Sequence, residues 1–223
     1  MANPFAQEST EIVVVGLGRF GSAVALSLTR LGHQVLAIEQ KLELVQAYSD
    51  QLAHVVQADA TDQHALRRLG VDNFSHAIVA IGNSLEASVL SVLALSEVGV
   101  KDIWAKALQQ RHGRILERTG ANHIVYPEAA MGERVAHLIT GKIIDFIEFE
   151  DNFAIVKTAA PVEAWGLPLG KSGLRSKYGV TIVGVKRKNE PFTYATAETM
   201  VQEGDLLIVA GKTRACESFA AVT

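Results

Sequence analysis

The sequence predicts an α/β chain: a Rossmann-like, doubly wound parallel sheet of six strands, followed by a small α+β lobe. Three observations predict it. Short, β-branched apolar runs alternate with helical stretches six times over about the first 140 residues. The first run, IVVV at 12–15, breaks directly into Gly16-x-Gly18-x-x-Gly21 and an amphipathic stretch. After Gly141 the apolar residues alternate with acidic ones at period two, which suits antiparallel strands.

The elements follow in order. Strand 12–15 leads to a helix over 19–31, strand 34–38 to a helix over 42–51, and strand 54–57 to a helix over 62–69. Strand 76–80 leads to a helix over 84–98, strand 102–105 to a helix over 109–119, and strand 123–126 to a helix opened by Pro127. The runs are almost wholly apolar, as expected of parallel strands covered on both faces. Proline suits the first helical turn, and this last helix is expected to continue past Gly141. IIDFIEFED at 143–151 and FAIVKT at 153–158 then read as an antiparallel hairpin across an Asp151-Asn152 turn. A Gly/Pro-punctuated segment at 165–173, strands at 180–185 and 205–210, and a short terminal helix complete the chain. The expected boundary lies near Gly141: 1–141 as a nucleotide-binding domain and 142–223 as the α+β lobe. At about 80 residues the second lobe is marginal for an independent core, so a second copy of the chain is expected to support it.

Composition narrows the function classes. Hydrophobic residues make up 48% and charged residues 20% of 223, ordinary for a globular protein. A net charge of −3 offers no general attraction to nucleic acid, which is not expected as a partner. No apolar stretch reaches the roughly 18 residues that span a bilayer, and the opening MANPFAQEST lacks the pattern of a signal peptide. The single Cys216 excludes an intrachain disulfide and a cysteine-based zinc cluster, and reads as a small hydrophobe of the terminal helix. Together these point to the cytoplasm.

The glycine turn carries the first functional reading. Gly16 permits the turn, Gly18 lets a phosphate approach the backbone, and Gly21 lets helix and strand pack closely. The phosphate then meets N–H groups at the helix start. Glu39, 23 residues beyond Gly16, ends the next strand, where a carboxylate can accept from ribose hydroxyls and would repel a 2′-phosphate. Arg19 inside the turn suggests a phosphate chain with more charge than a pyrophosphate carries. After the third strand, Ala58-Asp59-Ala60-Thr61 offers Asp59 either to an adenine amino group or to the turn itself, with Thr61 or Asp62 as helix cap. After the fourth, Ile81-Gly82-Asn83-Ser84 brings backbone near an adenosine, and Asn83 or Ser84 caps the next helix. Lys106 ends the fifth strand facing the cleft. Glu128 follows the sixth, either as a favourable helix-start acid or as a carboxylate reaching a nucleotide-bound cation.

With those residues assembled, the chain resembles the RCK-type regulators of bacterial potassium transport, in the wider TrkA family. The segments that carry the resemblance are VVVGLGRFGSAVALSLTRLGHQVLAIE, QADATD, IVAIGNSLEASVLSVLALSEVGV, IWAKA and YPEAAMGERVA, with PLGKSGLRSKYGVTIVGVKRKNE and VQEGDLLIVAG in the second lobe. It covers nearly all of 10–212. The resemblance implies that ATP and ADP compete for the first lobe and that NAD(H) also fits. It implies that Gly16, Gly18, Phe20 and Gly21 cradle phosphates while Arg19 senses the γ-phosphate. Glu39, followed by Gln40 and Lys41, holds the ribose; Asp59, Ala60, Thr61, Ile81, Gly82, Asn83 and Ser84 surround the adenosine. Lys106 and Glu128 stand near the nucleotide, Glu128 being linked to Mg²⁺ in some relatives. It further implies a homo-octameric ring of dimers beneath a KtrB-like membrane potassium-translocating subunit, with ATP activating and ADP inactivating. The chain would then be peripheral to the inner face of the cell membrane. Two departures stand out: Glu39 replaces a common Asp, and Thr193-Tyr194-Ala195-Thr196-Ala197 replaces the Pro-x-Pro of relatives that bind cyclic di-AMP, although Arg175 matches an arginine near that pocket.

Two other classes compete. An NAD-dependent oxidoreductase needs a proton donor beside the nicotinamide, but His54, His76 and His123 open strands, at the opposite end of the sheet from a cofactor. A redox-sensing transcriptional regulator needs a helix-turn-helix or a basic face, and neither is apparent.

Overall fold

The structure, a computed structural model, describes residues 9–139 and 142–223. The chain divides into two compact units between Glu128 and Ala129. The boundary expected near Gly141 lies at the other end of the same helix, outside the described residues.

The first unit is a six-stranded sheet in the order β3-β2-β1-β4-β5-β6, with every pairing parallel. The strands are β1 Glu11–Val15, β2 Gln34–Glu39, β3 His54–Gln57, β4 His76–Val79, β5 Asp102–Lys106 and β6 His123–Val125. Between them run α1 Arg19–Arg30, α2 Leu42–Tyr48, α3 Gln63–Arg68, α4 Leu85–Val98 and α5 Gln110–Thr119; α6 Pro127–Ile139 follows β6. Strand β1 shows why its apolar run is unbroken. Val13 and Val15 pack into one core with Ile38, Leu66, Val79, Leu95 and Ile103. Ile12 and Val14 pack into a second core with Leu17, Ala25, Val35 and Ala37. Successive side chains point to opposite faces, and both faces are covered. The order of connections reverses between β1 and β4, so the carboxyl ends of those strands open a crevice.

The second unit holds a five-stranded antiparallel sheet in the order β10-β9-β11-β8-β7. Its hairpin is β7 Ile143–Phe149 and β8 Phe153–Ala159, joined through a short 3₁₀ turn in which Asp151 and Asn152 adopt left-handed backbone (φ 60° and 56°). These residue types tolerate that conformation better than most. Strands β9 Val180–Lys186, β10 Thr193–Tyr194 and β11 Leu206–Lys212 complete the sheet. Helices α7 Leu169–Ser172, α8 Leu174–Tyr178 and α9 Thr213–Ala220 accompany it. Its core gathers Phe146, Val156, Leu174, Leu207, Val209, Cys216 and Phe219. Burial pushes the Cys216 thiol up to about 11, so it sits as an unreactive hydrophobe. The described part of α6 ends at Ile139, and the expected continuation of the helix past Gly141 is not found: Lys142 is a bend and β7 begins at Ile143, where the alternating apolar residues pair with β8.

Candidate nucleotide-binding cleft

A cleft of about 650 Å³ opens at the carboxyl ends of the parallel strands. Its floor is the turn between β1 and α1. Gly16 has φ +91°, a left-handed conformation that favours glycine, and a Cβ there would press on Ile81 at 3.3 Å. Gly21 lies beneath the cleft, not on its wall. A Cβ at Gly21 would collide with the Gly16 carbonyl oxygen and stand 2.8 Å from the Ala80 methyl, so close packing of α1 on β1 requires glycine here. Gly18 differs from both. Its backbone is unstrained (φ −66°), and a Cβ built on it meets nothing within 4 Å. No requirement of this chain's own packing explains glycine at that position. The space a Cβ would fill faces the cleft, and that is the fit expected of a residue kept small for a ligand.

Gly18 is also the N-cap of α1. The helical ladder starts with Ser22 N–H donating to the Gly18 carbonyl at 2.9 Å, and Gly18 supplies no side-chain cap. The N–H groups ahead of Ser22 therefore have no intrahelical acceptor and lie at the positive end of the helix. An anion is the natural partner.

The residues around this floor come from all six strand ends. From β1, Arg19 is exposed and Phe20 half-buried. From β2 come Glu39, Gln40 and Lys41; from the β3 end, Asp59, Ala60 and Thr61; from the β4 end, Ile81, Gly82, Asn83 and Ser84; from β5, Lys106; and after β6, Glu128. Every residue expected at the site lines the cleft except Gly21.

The structure also shows what these residues do within the chain. Glu39 Oε2 accepts from Leu17 N–H at 2.7 Å, and its Oε1 accepts from Lys41 N–H at 2.9 Å. The carboxylate thus braces the glycine turn against β2 while keeping lone pairs for a hydroxyl. Asp59 Oδ1 accepts from both the N–H and the hydroxyl of Thr61, at 2.9 and 2.7 Å, so it builds its own turn. Asp62 caps α3 by accepting from His64 N–H, and Ser84 caps α4 by accepting from Ala87 N–H. The Lys106 ammonium is largely buried and donates to Glu128 Oε1 at 2.6 Å. That hydrogen bond holds the Glu128 carboxyl below its usual range, and the charge of Arg19 pushes the same way.

Several lining residues escaped sequence reasoning. Leu44 and Leu108 form apolar walls, and Ala87 and Ser91 lie on the α4 face turned to the cleft. The signal for the last two was present: Ser84, Ala87 and Ser91 recur at helical spacing. Ser91 is fully buried, and its hydroxyl finds no partner among the described residues.

The sequence of this cleft and of the second unit matches known families. The TrkA-N domain family matches residues 12–127, and the TrkA-C domain family matches residues 155–222. The chain belongs to the TrkA family. Ktr system potassium uptake protein C of Bacillus subtilis is 37% identical over 202 residues, which cover 90% of this chain and 91% of that protein. Ktr system potassium uptake protein A of the same organism is 34% identical, covering 95% and 96%. Among solved structures, the GsuK channel bound to NAD superposes with a TM-score of 0.65 at 21% identity. The match covers 99% of this chain and 40% of that channel chain, and it shows the shared fold. No helix among the described residues is long and apolar enough to cross a membrane.

Proposed function

We propose that this TrkA-family chain is the nucleotide-binding regulatory subunit of a potassium-uptake system. In this reading ATP and ADP compete for the cleft, and the chain binds them without turning them over. The translocating subunit is a separate, KtrB-like membrane protein, activated with ATP and inactivated with ADP. The chain acts from the cytoplasmic face as a homo-octameric ring of dimers. Gly18 carries the nucleotide part of the proposal: an unstrained position with open space at its Cβ, at the uncapped start of a helix, is shaped for a phosphate. The names of the relatives, potassium uptake proteins aligned over nearly their whole length, support the transport part.

The polarity of the cleft gives the nucleotide a direction. Glu39 and Asp59 stand on the β2–β3 side, where hydroxyls and amino groups suit them. Arg19, Lys106 and Glu128 stand over β1 and on the β5–β6 side. A ribose on the acidic side sends its phosphates across the glycine turn toward the two cations. A third phosphate reaches further along that path, so Arg19 can distinguish ATP from ADP. Such a preference shifts the chain between two shapes only if each nucleotide binds them unequally. A divalent ion such as Mg²⁺ would be shared between Glu128 and the phosphates, since no group of three or more metal-ligating side chains stands together among the described residues. NAD(H) in the same cleft is a second reading, favoured by Glu39, whose charge suits an unphosphorylated ribose.

Calorimetric titration with ATP, ADP, NADH and NADPH, each with and without Mg²⁺, tests the proposal. Micromolar or tighter binding of ATP and ADP with no hydrolysis is the expected result. Tight NADH binding with ATP ignored would favour an oxidoreductase or redox sensor and overturn it. Arg19→Ala should narrow the difference between ATP and ADP while leaving ADP affinity nearly intact; equal losses for both would remove the γ-phosphate role.

A further inference from the structure

We propose that Glu128 and the terminal phosphate of a nucleotide are rivals for one ammonium, that of Lys106, so that phosphate binding proceeds by exchange and releases Glu128. The inference rests on the nucleotide reading of the cleft.

The Lys106 ammonium is held in place from several sides. Only 8% of the residue is exposed. A Cβ on Gly82 would stand 3.2 Å from Nζ, so the ammonium lies against that backbone. The Phe20 ring is centred 5.8 Å away. The stem has little freedom, and the charge needs an anion beside it. Its present partner is held much less firmly. The Glu128 side chain is 60% exposed and sits in the first turn of α6. It can swing into water and still enjoy the favourable end of that helix. The fixed member of the pair is therefore the cation, and the replaceable member is the carboxylate.

The other acids of the cleft do not compete for Lys106, because Glu39 ends β2 and Asp59 follows β3, with β1 and β4 lying between them and β5. A phosphate that crosses the glycine turn meets Lys106 with Glu128 already on it. Two anions crowded around one ammonium repel each other, and Arg19, whose charge also acts on Glu128, favours the more highly charged phosphate. Exchange leaves Lys106 paired throughout. It also frees Glu128, the last residue of the first unit, each time a phosphate arrives.

The test is titration of wild type, Glu128→Gln, Lys106→Met and the double variant with ATP and with adenosine, all in a metal chelator. Glu128→Gln should bind ATP about fivefold more tightly than wild type, the scale of one partly exposed ion pair. Adenosine, which carries no phosphate, should bind both alike. In the Lys106→Met background the gain from Glu128→Gln should vanish, because the rivalry needs the ammonium. Equal ATP affinities of wild type and Glu128→Gln would overturn the exchange. So would an equal gain in the Lys106→Met background, which would reduce Glu128 to a general repulsive charge. If wild type binds neither ATP nor adenosine, the nucleotide reading itself falls and takes this inference with it.

Discussion

The two units bury their sheets in different ways, and the difference separates what a ligand does from what packing does. The first unit covers both faces of a parallel sheet and leaves its strand ends for a cleft. The second covers one face of an antiparallel sheet. Along β8, Ala154, Val156 and Thr158 are buried, while Phe153, Ile155, Lys157 and Ala159 keep contact with solvent. In the first unit, the turn at the end of β1 serves both packing and the cleft. In the second, the buried positions answer to packing alone. Loss of packing at that turn should therefore carry nucleotide affinity with it, whereas loss of packing in the second unit should not.

The strongest test of that contrast is Gly21→Ala. Its Cβ would collide with backbone, which cannot retreat without separating α1 from β1, so a loss of about 4 kcal/mol or more is expected. Thermal unfolding should show the first unit lost and ATP binding lost with it. Next comes Phe219→Ala in the second unit. Phe219 is fully buried and meets Tyr178 edge-on at 5.3 Å. A loss of about 3–5 kcal/mol is expected in the second unit's unfolding, with nucleotide affinity unchanged. Weakened ATP binding in that variant would break the contrast. Gly18→Ala should do the opposite: only a small loss of melting without ligand, from a poorer helix cap, and ATP affinity lowered roughly tenfold, about 1.4 kcal/mol. A variant that binds ATP normally would remove the ligand explanation for Gly18.

The smallest effect is in pH. Burial lowers the pKa of His112, whose Nδ1 accepts from Leu108 N–H. A base with a lowered folded pKa keeps its full contribution above its unfolded value. It loses that contribution as pH falls through about 6.5 toward the folded value. Glu163 in the second unit has the same sign of effect, at a lower pH. Hydrogen bonds from Lys177 and Tyr178 lower its pKa, so its contribution persists above its unfolded value, about 4.3, and is lost only as pH falls further. Melting curves at pH 7 and pH 5.5 should show the first unit weakened before the second. Replacing His112 should abolish that early loss.

The same contrast governs how much the sequence revealed. The β-α alternation announces itself through long apolar runs, and the glycine turn announces the cleft. The second unit was legible in its hairpin, in β9 and β11 and in α9. It was illegible where elements are only a few residues long: α7, α8 and β10 leave too few residues for a period to show. The cleft residues were readable because strand ends converge by rule. What they touch was not. The bond from Leu17 to Glu39 spans 22 positions, and that from Lys106 to Glu128 also spans 22, so no local pattern could state them. Asp59 was open between two roles, and it was the geometry of Thr61 that showed its engagement in the turn.

Gly18 and Gly21 stand three residues apart in one motif and would be recorded by different selections. A library screened only for soluble, folded protein should reject substitutions at 21 and accept small side chains at 18. A library screened for response to nucleotide should reject both. Variants at 18 would pass assays of expression and lose little in melting, and their main defect would surface only when the chain is asked to respond to its ligand.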